Sequence, residues 1–152
     1  MQTRRETLKQ SATVAGLLAA TGLFPQYAQA AWNAGAFEAK NVADVAKAFG
    51  ASAPAASTSV TLTAPDIAEN GAVVPMAAAT TLAGVKHLLV LVEKNPNTLV
   101  AKFDVTDAIE ANVATRAKMG QTSDVYAVAI TNDGKAFYAK KEVKVTLGGC
   151  GG

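Results

Sequence analysis

Nitrogen and sulfur ligands are almost absent from this chain. Its 152 residues include one cysteine, Cys150, and one histidine, His87. A closed zinc, haem or iron–sulfur site needs several such ligands, so no resident metal or other cofactor is expected. A single cysteine cannot staple its own chain; it stays free, pairs between molecules, or carries something. The chain has no C-x-x-C pair, no glycine-rich phosphate loop and no Ser-His-Asp order. It also lacks an excess of charge. Residues 1–30 hold three of the 14 Lys and Arg and one of the 12 Asp and Glu, so residues 31–152 carry eleven of each and are neutral. A neutral chain has no electrostatic footprint for nucleic acid or for an anionic membrane. Low self-repulsion suits association with another subunit.

Long apolar runs are scarce near the start. Residues 12–24 are mildly apolar and broken by Gly16 and Gly22, too short and glycine-rich for a membrane span. Arg4 and Arg5 precede this run, and Ala28-Gln29-Ala30 follows it. A charged segment, an apolar segment and small residues at alternate positions form an export signal with cleavage after Ala30. The paired arginines point to the Tat route and the periplasm, although Thr7 stands where such signals usually place Phe. With no cofactor to insert before export, the expected reason for this route is a pre-assembled complex that carries a leaderless partner. The expected organisation is a signal over 1–30, a helix and loop over 31–56, a β-sandwich over 57–147 and a flexible arm over 148–152.

One helix is expected over residues 37–49, where Phe37, Val42, Val45, Ala46 and Phe49 recur at three- and four-residue spacing. Gly50 follows as a C-terminal cap. Residues 51–57 and 65–71 read as loop and turn. Strands are expected at 59–63, 72–78, 85–92, 99–105, 112–119, 125–130, 136–140 and 141–147. Pro75 marks 72–78 as an edge strand or a bulge. Residues 85–92 are nearly all apolar, as for a central strand buried on both faces. Val113, Thr115, Ala117 and Met119 share one side of their strand, as do Tyr126, Val128 and Ile130. Asn132-Asp133-Gly134 signals a hairpin. In the last strand Val143, Val145 and Leu147 are expected to point inward. Short strands with frequent turns and no strand–helix–strand rhythm predict an all-β, antiparallel sandwich.

Cys150 is the residue expected to carry chemistry. Gly148 and Gly149 precede it, and Gly151 and Gly152 follow it. Glycine has the widest backbone freedom and no Cβ, and five residues extend to at most ~17 Å. The sequence thus predicts a thiol on a short, flexible, unhindered tether. A solvated thiol with a pKa of about 8.5 is partly ionised at neutral pH and is a good sulfur nucleophile. Nothing adjacent in sequence activates it, so activation is expected from another protein. His87 reads as a packed strand residue rather than a ligand. The pairs Asp66/Glu69 and Asp104/Asp107 read as turn carboxylates rather than an acid–base pair. Lys140, Lys141 and Lys144 read as a solvated strand face, with the further possibility that they attract an anionic cargo or an acidic partner.

Several segments together resemble the SoxY family, the sulfur-carrier subunits of the periplasmic thiosulfate-oxidising (Sox) system. They are the Tat-type leader, Glu69-Asn70-Gly71-Ala72-Val73-Val74-Pro75, Glu93-Lys94-Asn95-Pro96, and above all Val143-Lys144-Val145-Thr146-Leu147-Gly148-Gly149-Cys150-Gly151-Gly152. The terminal motif is the most specific of these. Ala77-Ala78-Ala79 departs from the pattern, where more β-branched residues are expected. The resemblance implies an immunoglobulin-like sandwich and a non-catalytic subunit that forms a heterodimer with a SoxZ-like partner. It implies covalent carriage of sulfur intermediates on Cys150, with transient docking to SoxAX, SoxB and, where present, a sulfane dehydrogenase. Two other readings of the residues stand beside it. One is a structural periplasmic sandwich that dimerises through a Cys150 disulfide. The other is a ubiquitin-like carrier loaded as a thiocarboxylate on Gly152, a route that needs ATP and that the export signal argues against.

Overall fold

The computed structural model describes residues 6–10, 12–13 and 33–147. The chain divides into two compact units, Met1–Trp32 and Asn33–Gly152. In the first unit the described residues are helical and exposed. Among the described residues no helix is long and apolar enough to cross a membrane.

The second unit begins with two short helices rather than one. Helix α1 spans Ala34–Glu38 and α2 spans Val42–Ala48. Residues 39–41 break the expected single helix, because Ala39 is extended (ψ 139°) and Asn41 turns its side chain back to cap the second helix. Asn41 Oδ1 accepts from the Asp44 N–H at 2.8 Å, which satisfies one of the amides a helix start leaves unpaired. Gly50 follows with φ 73°, the left-handed conformation that ends helices and that glycine adopts without strain.

Nine strands follow, β1 (Ala55–Ala56), β2 (Val60–Thr63), β3 (Ile67–Ala68), β4 (Val74–Thr80), β5 (Val85–Val92), β6 (Leu99–Asp104), β7 (Asn112–Ala117), β8 (Ser123–Thr131) and β9 (Ala136–Val145). They form an all-β sandwich of two sheets. The larger has the order β1-β9-β8-β5-β6, with β3 also on β9; the smaller has the order β2-β4-β7. Most pairs are antiparallel, but β1 and β3 run parallel to β9, at Phe137–Tyr138 and at Lys144–Val145 respectively. These two-residue strands lie in segments whose sequence reads as loop and turn. They cover the outer edge of β9, which would otherwise expose unpaired backbone groups.

Strand β5 is buried on both faces, as its unbroken apolar run predicts. Leu88, Val90 and Val92 pack into the core between the sheets with Val74, Met76, Ala78, Val125 and Val143. Leu89 and Leu91 point the other way and meet Ala36, Val45 and Ala46 of the helices, together with Val128 and Ile130. The helices therefore form a third layer over the larger sheet. Strand β8 alternates as its pattern predicts, with Tyr126, Val128 and Ile130 toward the helices. The β8–β9 hairpin turns at Gly134, where φ is 78°. The Asp133 carboxylate accepts from Lys135 and Thr131, and these contacts hold its pKa down at about 2.

Pro75 does not lie on an edge strand. Strand β4 is the middle strand of its sheet, paired with β2 through Ala77–Thr80 and with β7 through Val74–Ala79. The N–H of Thr80 points to β7 and that of Thr81 to β2. By alternation, the missing N–H of Pro75 faces the β2 side. There β2 has already ended, since Thr63 pairs with Ala77, so proline forfeits no ladder bond. The last strand is continuous over ten residues rather than two pieces. Val143 is buried and Val145 half-buried, but Leu147 lies beyond the strand and is 67% exposed, contrary to its expected inward position.

Candidate functional site

The five residues expected to carry the chemistry, Gly148, Gly149, Cys150, Gly151 and Gly152, lie outside the described residues, as do Arg4 and Arg5 of the expected signal. The structure defines the point from which the cysteine motif departs, the end of β9. Backbone bonds from neighbouring loops fix this end residue by residue. Lys144 N–H donates to the carbonyl of Asp66 at 3.0 Å and Thr146 N–H to that of Ala68 at 3.1 Å. Val145 N–H donates to Thr122 Oγ1 at 3.0 Å. The Thr146 hydroxyl reaches the Glu69 carbonyl at 3.2 Å.

Gly71 completes the arrangement. It is buried, and its N–H donates to the Leu147 carbonyl at 2.8 Å while its own carbonyl accepts from Met119 N–H at 2.7 Å. An Asx turn, in which the Ala72 N–H donates to Asn70 Oδ1 at 2.9 Å, shapes the chain around it. Residues 66–73 thus tie Leu147, just beyond β9, to the start of β4. The Asn70-Gly71 dipeptide signals a turn in the sequence, but its role as a clamp depends on Leu147 and Met119, far away along the chain.

The lysines beside this end are mostly neutralised. Lys140 Nζ lies 2.8 Å from Asp124 Oδ2, and Lys141 Nζ lies 2.9 Å from Asp66 Oδ1 and donates to the Ala64 carbonyl at 2.6 Å. Lys144 has no ion pair among the described residues and is exposed. The electrostatic reading of the three lysines therefore narrows to one. Ile67, the cross-strand partner of Lys144, is exposed, and so is Val73 next to the clamp.

His87 and these carboxylates are engaged by packing and by neighbouring charges. His87 is a packed residue of β5. Its Nδ1 lies 2.7 Å from Asp104 Oδ1, off the line of a well-directed hydrogen bond, and its ring tilts against Phe49 at 5.4 Å. Burial, reinforced by Lys102 and Lys86, outweighs the pull of Asp104 and lowers its pKa below 6.5. Asp104 ends β6 rather than sitting in a turn, and the ammonium of Lys102 at 2.7 Å holds its pKa down. Asp66 is bound to Lys141. Among the described residues no three His, Cys, Asp or Glu side chains cluster as metal ligands.

A shallow groove of about 730 Å³ opens where β2 ends, lined by Ala64, Pro65, Pro75, Ala77, Thr115 and Arg116 among others. Pairing alone creates it, because β4 and β7 continue past Thr63. No motif in the sequence signals it.

Comparison with known proteins places this geometry. The family described as "Sulfur oxidation protein SoxY" matches residues 45–150, a span that includes the cysteine. The solved structure of the sulfur carrier protein SoxY from Chlorobium limicola f thiosulfatophilum is similar at 37% identity and a TM-score of 0.56, covering 62% of this chain and 86% of that one. Two variants of the superoxide reductase (neelaredoxin) from Ignicoccus hospitalis share the fold alone. Each is 16% identical, with TM-scores of 0.50 and 0.51, covering 57% of this chain and 79% of theirs. No curated protein matches the chain.

Proposed function

The chain belongs to the SoxY family of sulfur oxidation proteins, and from that premise we propose that it carries the intermediates of thiosulfate oxidation covalently on Cys150. The observation that carries this reading is the family match itself, which runs from the second helix through Cys150. The anchoring of β9 supports it, because a fixed departure point at Leu147 makes the position of the following thiol reproducible for an incoming enzyme.

The cycle begins with the Cys150 thiolate and thiosulfate. A c-type haem enzyme of the SoxAX kind removes two electrons and a sulfur–sulfur bond forms, which leaves a cysteine S-thiosulfonate. A SoxB-like hydrolase adds water to the terminal sulfonate and releases sulfate and two protons, with a persulfide left on the cysteine. A sulfane dehydrogenase oxidises that sulfur where one exists; otherwise it passes to sulfur storage. The chain itself is a carrier, not a catalyst. Its thiol has no base or cation beside it in sequence, so each enzyme supplies the activation. The glycines present no Cβ to the walls of a narrow channel. A SoxZ-like subunit accompanies the chain, and the complex reaches the periplasm through the Tat signal that contains Arg4 and Arg5.

Intact mass spectrometry tests this on mature protein purified without reductant from thiosulfate-grown cells. The expected result is a series of reductant-labile adducts on Cys150 with the masses of sulfane and thiosulfonate groups. A bare thiol or a disulfide dimer alone, under active turnover, overturns it. An adduct on the Gly152 carboxylate overturns it in favour of thiocarboxylate chemistry.

A further inference from the structure

Resting on the carrier reading above, we infer that Ile67, Val73 and Leu147 form the surface on which the enzymes acting on Cys150 seat the rims of their channels. Four large apolar side chains are exposed among the described residues of the second unit: Ile67 at 56%, Val73 at 55%, Ile109 at 51% and Leu147 at 67%. One such residue alone is ordinary surface, but three of these four stand on segments whose backbones meet at the end of β9. Ile67 is in register with Lys144, one residue before the Ala68–Val145 pair. Ala68 accepts from Thr146, and Gly71, two residues before Val73, donates to Leu147. The hydrogen-bond ladder thus holds all three beside the point where the cysteine motif departs.

Chain length decides what covers them. Cys150 lies three residues beyond Leu147, at most ~10 Å of extended chain. An active site that encloses this sulfur and its cargo must bring its own surface within that distance of Leu147. The side chains it meets first are Leu147, Ile67 and Val73. The neighbouring charges favour neither sign, since Asp66 is paired with Lys141 and the exposed Glu69 and Lys144 carry opposite charges. The complementary rim is therefore apolar rather than strongly acidic or basic. Three half-exposed side chains make a small contact, at the low end of specific interfaces and typical of transient encounters. Fast release suits a carrier that must leave one enzyme for the next.

The test uses the complex of this chain with its partner subunit, loaded with thiosulfonate on Cys150, and measures sulfate release by the thiosulfohydrolase as carrier concentration varies. Ile67→Glu and Val73→Asp are compared with wild type. Each is expected to raise the half-saturating carrier concentration about tenfold, the scale of losing one partly buried apolar contact, with the maximal rate little changed. In the unloaded complex iodoacetamide should alkylate the free Cys150 thiol at the wild-type rate in both variants, since the thiol itself is untouched. Half-saturation within twofold of wild type in both variants overturns the inference. So does loss of the co-purifying partner subunit, which would assign the patch to that constant interface. If the loaded wild-type complex yields no sulfate at all, the carrier reading fails and the inference with it.

Discussion

Gly71 and Leu147 are joined by one backbone hydrogen bond of 2.8 Å, and this bond closes the end of β9 against the loop that leads into β4. Its donor is buried and has one acceptor. Gly71→Pro removes that N–H and leaves the Leu147 carbonyl without it. Losing a buried backbone hydrogen bond costs about 1–3 kcal/mol. Urea unfolding of the Gly71→Pro protein should show a lower midpoint with an unchanged slope. A more direct reading is amide exchange in the wild type, where the Gly71 N–H should be protected well beyond that of exposed Ala72. Fast exchange at Gly71 would dissolve the clamp.

His87 should make stability depend on pH below neutrality. Burial lowers its folded-state pKa below the ordinary 6.5. Between the folded and unfolded values the unfolded chain therefore binds more protons, so stability rises with pH across that window. The contribution is fully present above about pH 6.5 and is lost as pH falls toward the folded value. Asp104 acts in the same sense at lower pH, since Lys102 holds its pKa below 3.8. His87 is the only histidine in the chain, so His87→Gln should flatten the stability profile near pH 6 and leave the acid limb in place. An identical slope in the variant would remove His87 from the explanation.

The two faces of β5 should be equally costly to hollow out. Leu88 faces the opposite sheet and Leu89 faces the helices, and neither exposes any surface. Truncation of such residues to alanine costs about 2–5 kcal/mol each. Leu88→Ala and Leu89→Ala should both fall in that range by chemical denaturation of the purified protein. If Leu89→Ala proved nearly neutral, the helical layer would be no part of the cooperative fold.

Much of this fold is legible because its signals are local. The unbroken apolar run of β5, the alternation in β8 and the turn at Gly134 each depend on a few adjacent residues, and each appears where the sequence places it. The misreadings have long-range causes. The periodicity through residues 37–49 is real, yet Asn41, with Asp44 three positions on, is a helix start inside it. Pro75 reads as an edge residue because sequence does not reveal that β2 stops at Thr63 and leaves the side of the missing N–H open. The pairing of β3 with β9 joins residues nearly eighty apart, and no spacing rule predicts it. Leu147 continues the alternation of β9, but the strand ends at Val145 and Leu147 is left exposed among the described residues. At the site the contrast is the same. Cys150 and its glycines stand out as a motif, whereas the bonds that Asp66, Ala68, Gly71 and Thr122 make to β9 exist only in the folded chain.

The glycines beside Cys150 provide the sharpest separation of fold from function. Gly149 and Gly151 lie outside the described residues and the core among the described residues is built without them, so replacing them should leave unfolding curves unchanged. If several enzymes admit the loaded cysteine through narrow channels, a branched Cβ beside it must be accommodated by each of them. Forcing an extra side chain into a packed site costs about 1–3 kcal/mol, which corresponds to a rate loss of about tenfold or more. Gly149→Val and Gly151→Val should therefore slow adduct turnover by that factor while iodoacetamide still alkylates Cys150. Cys150→Ser should abolish turnover entirely and still co-purify with the partner subunit. Wild-type turnover in both valine variants would sink the steric role of the glycines. Turnover in the serine variant would sink the carrier role itself, because an alcohol cannot hold sulfur through a sulfur–sulfur bond.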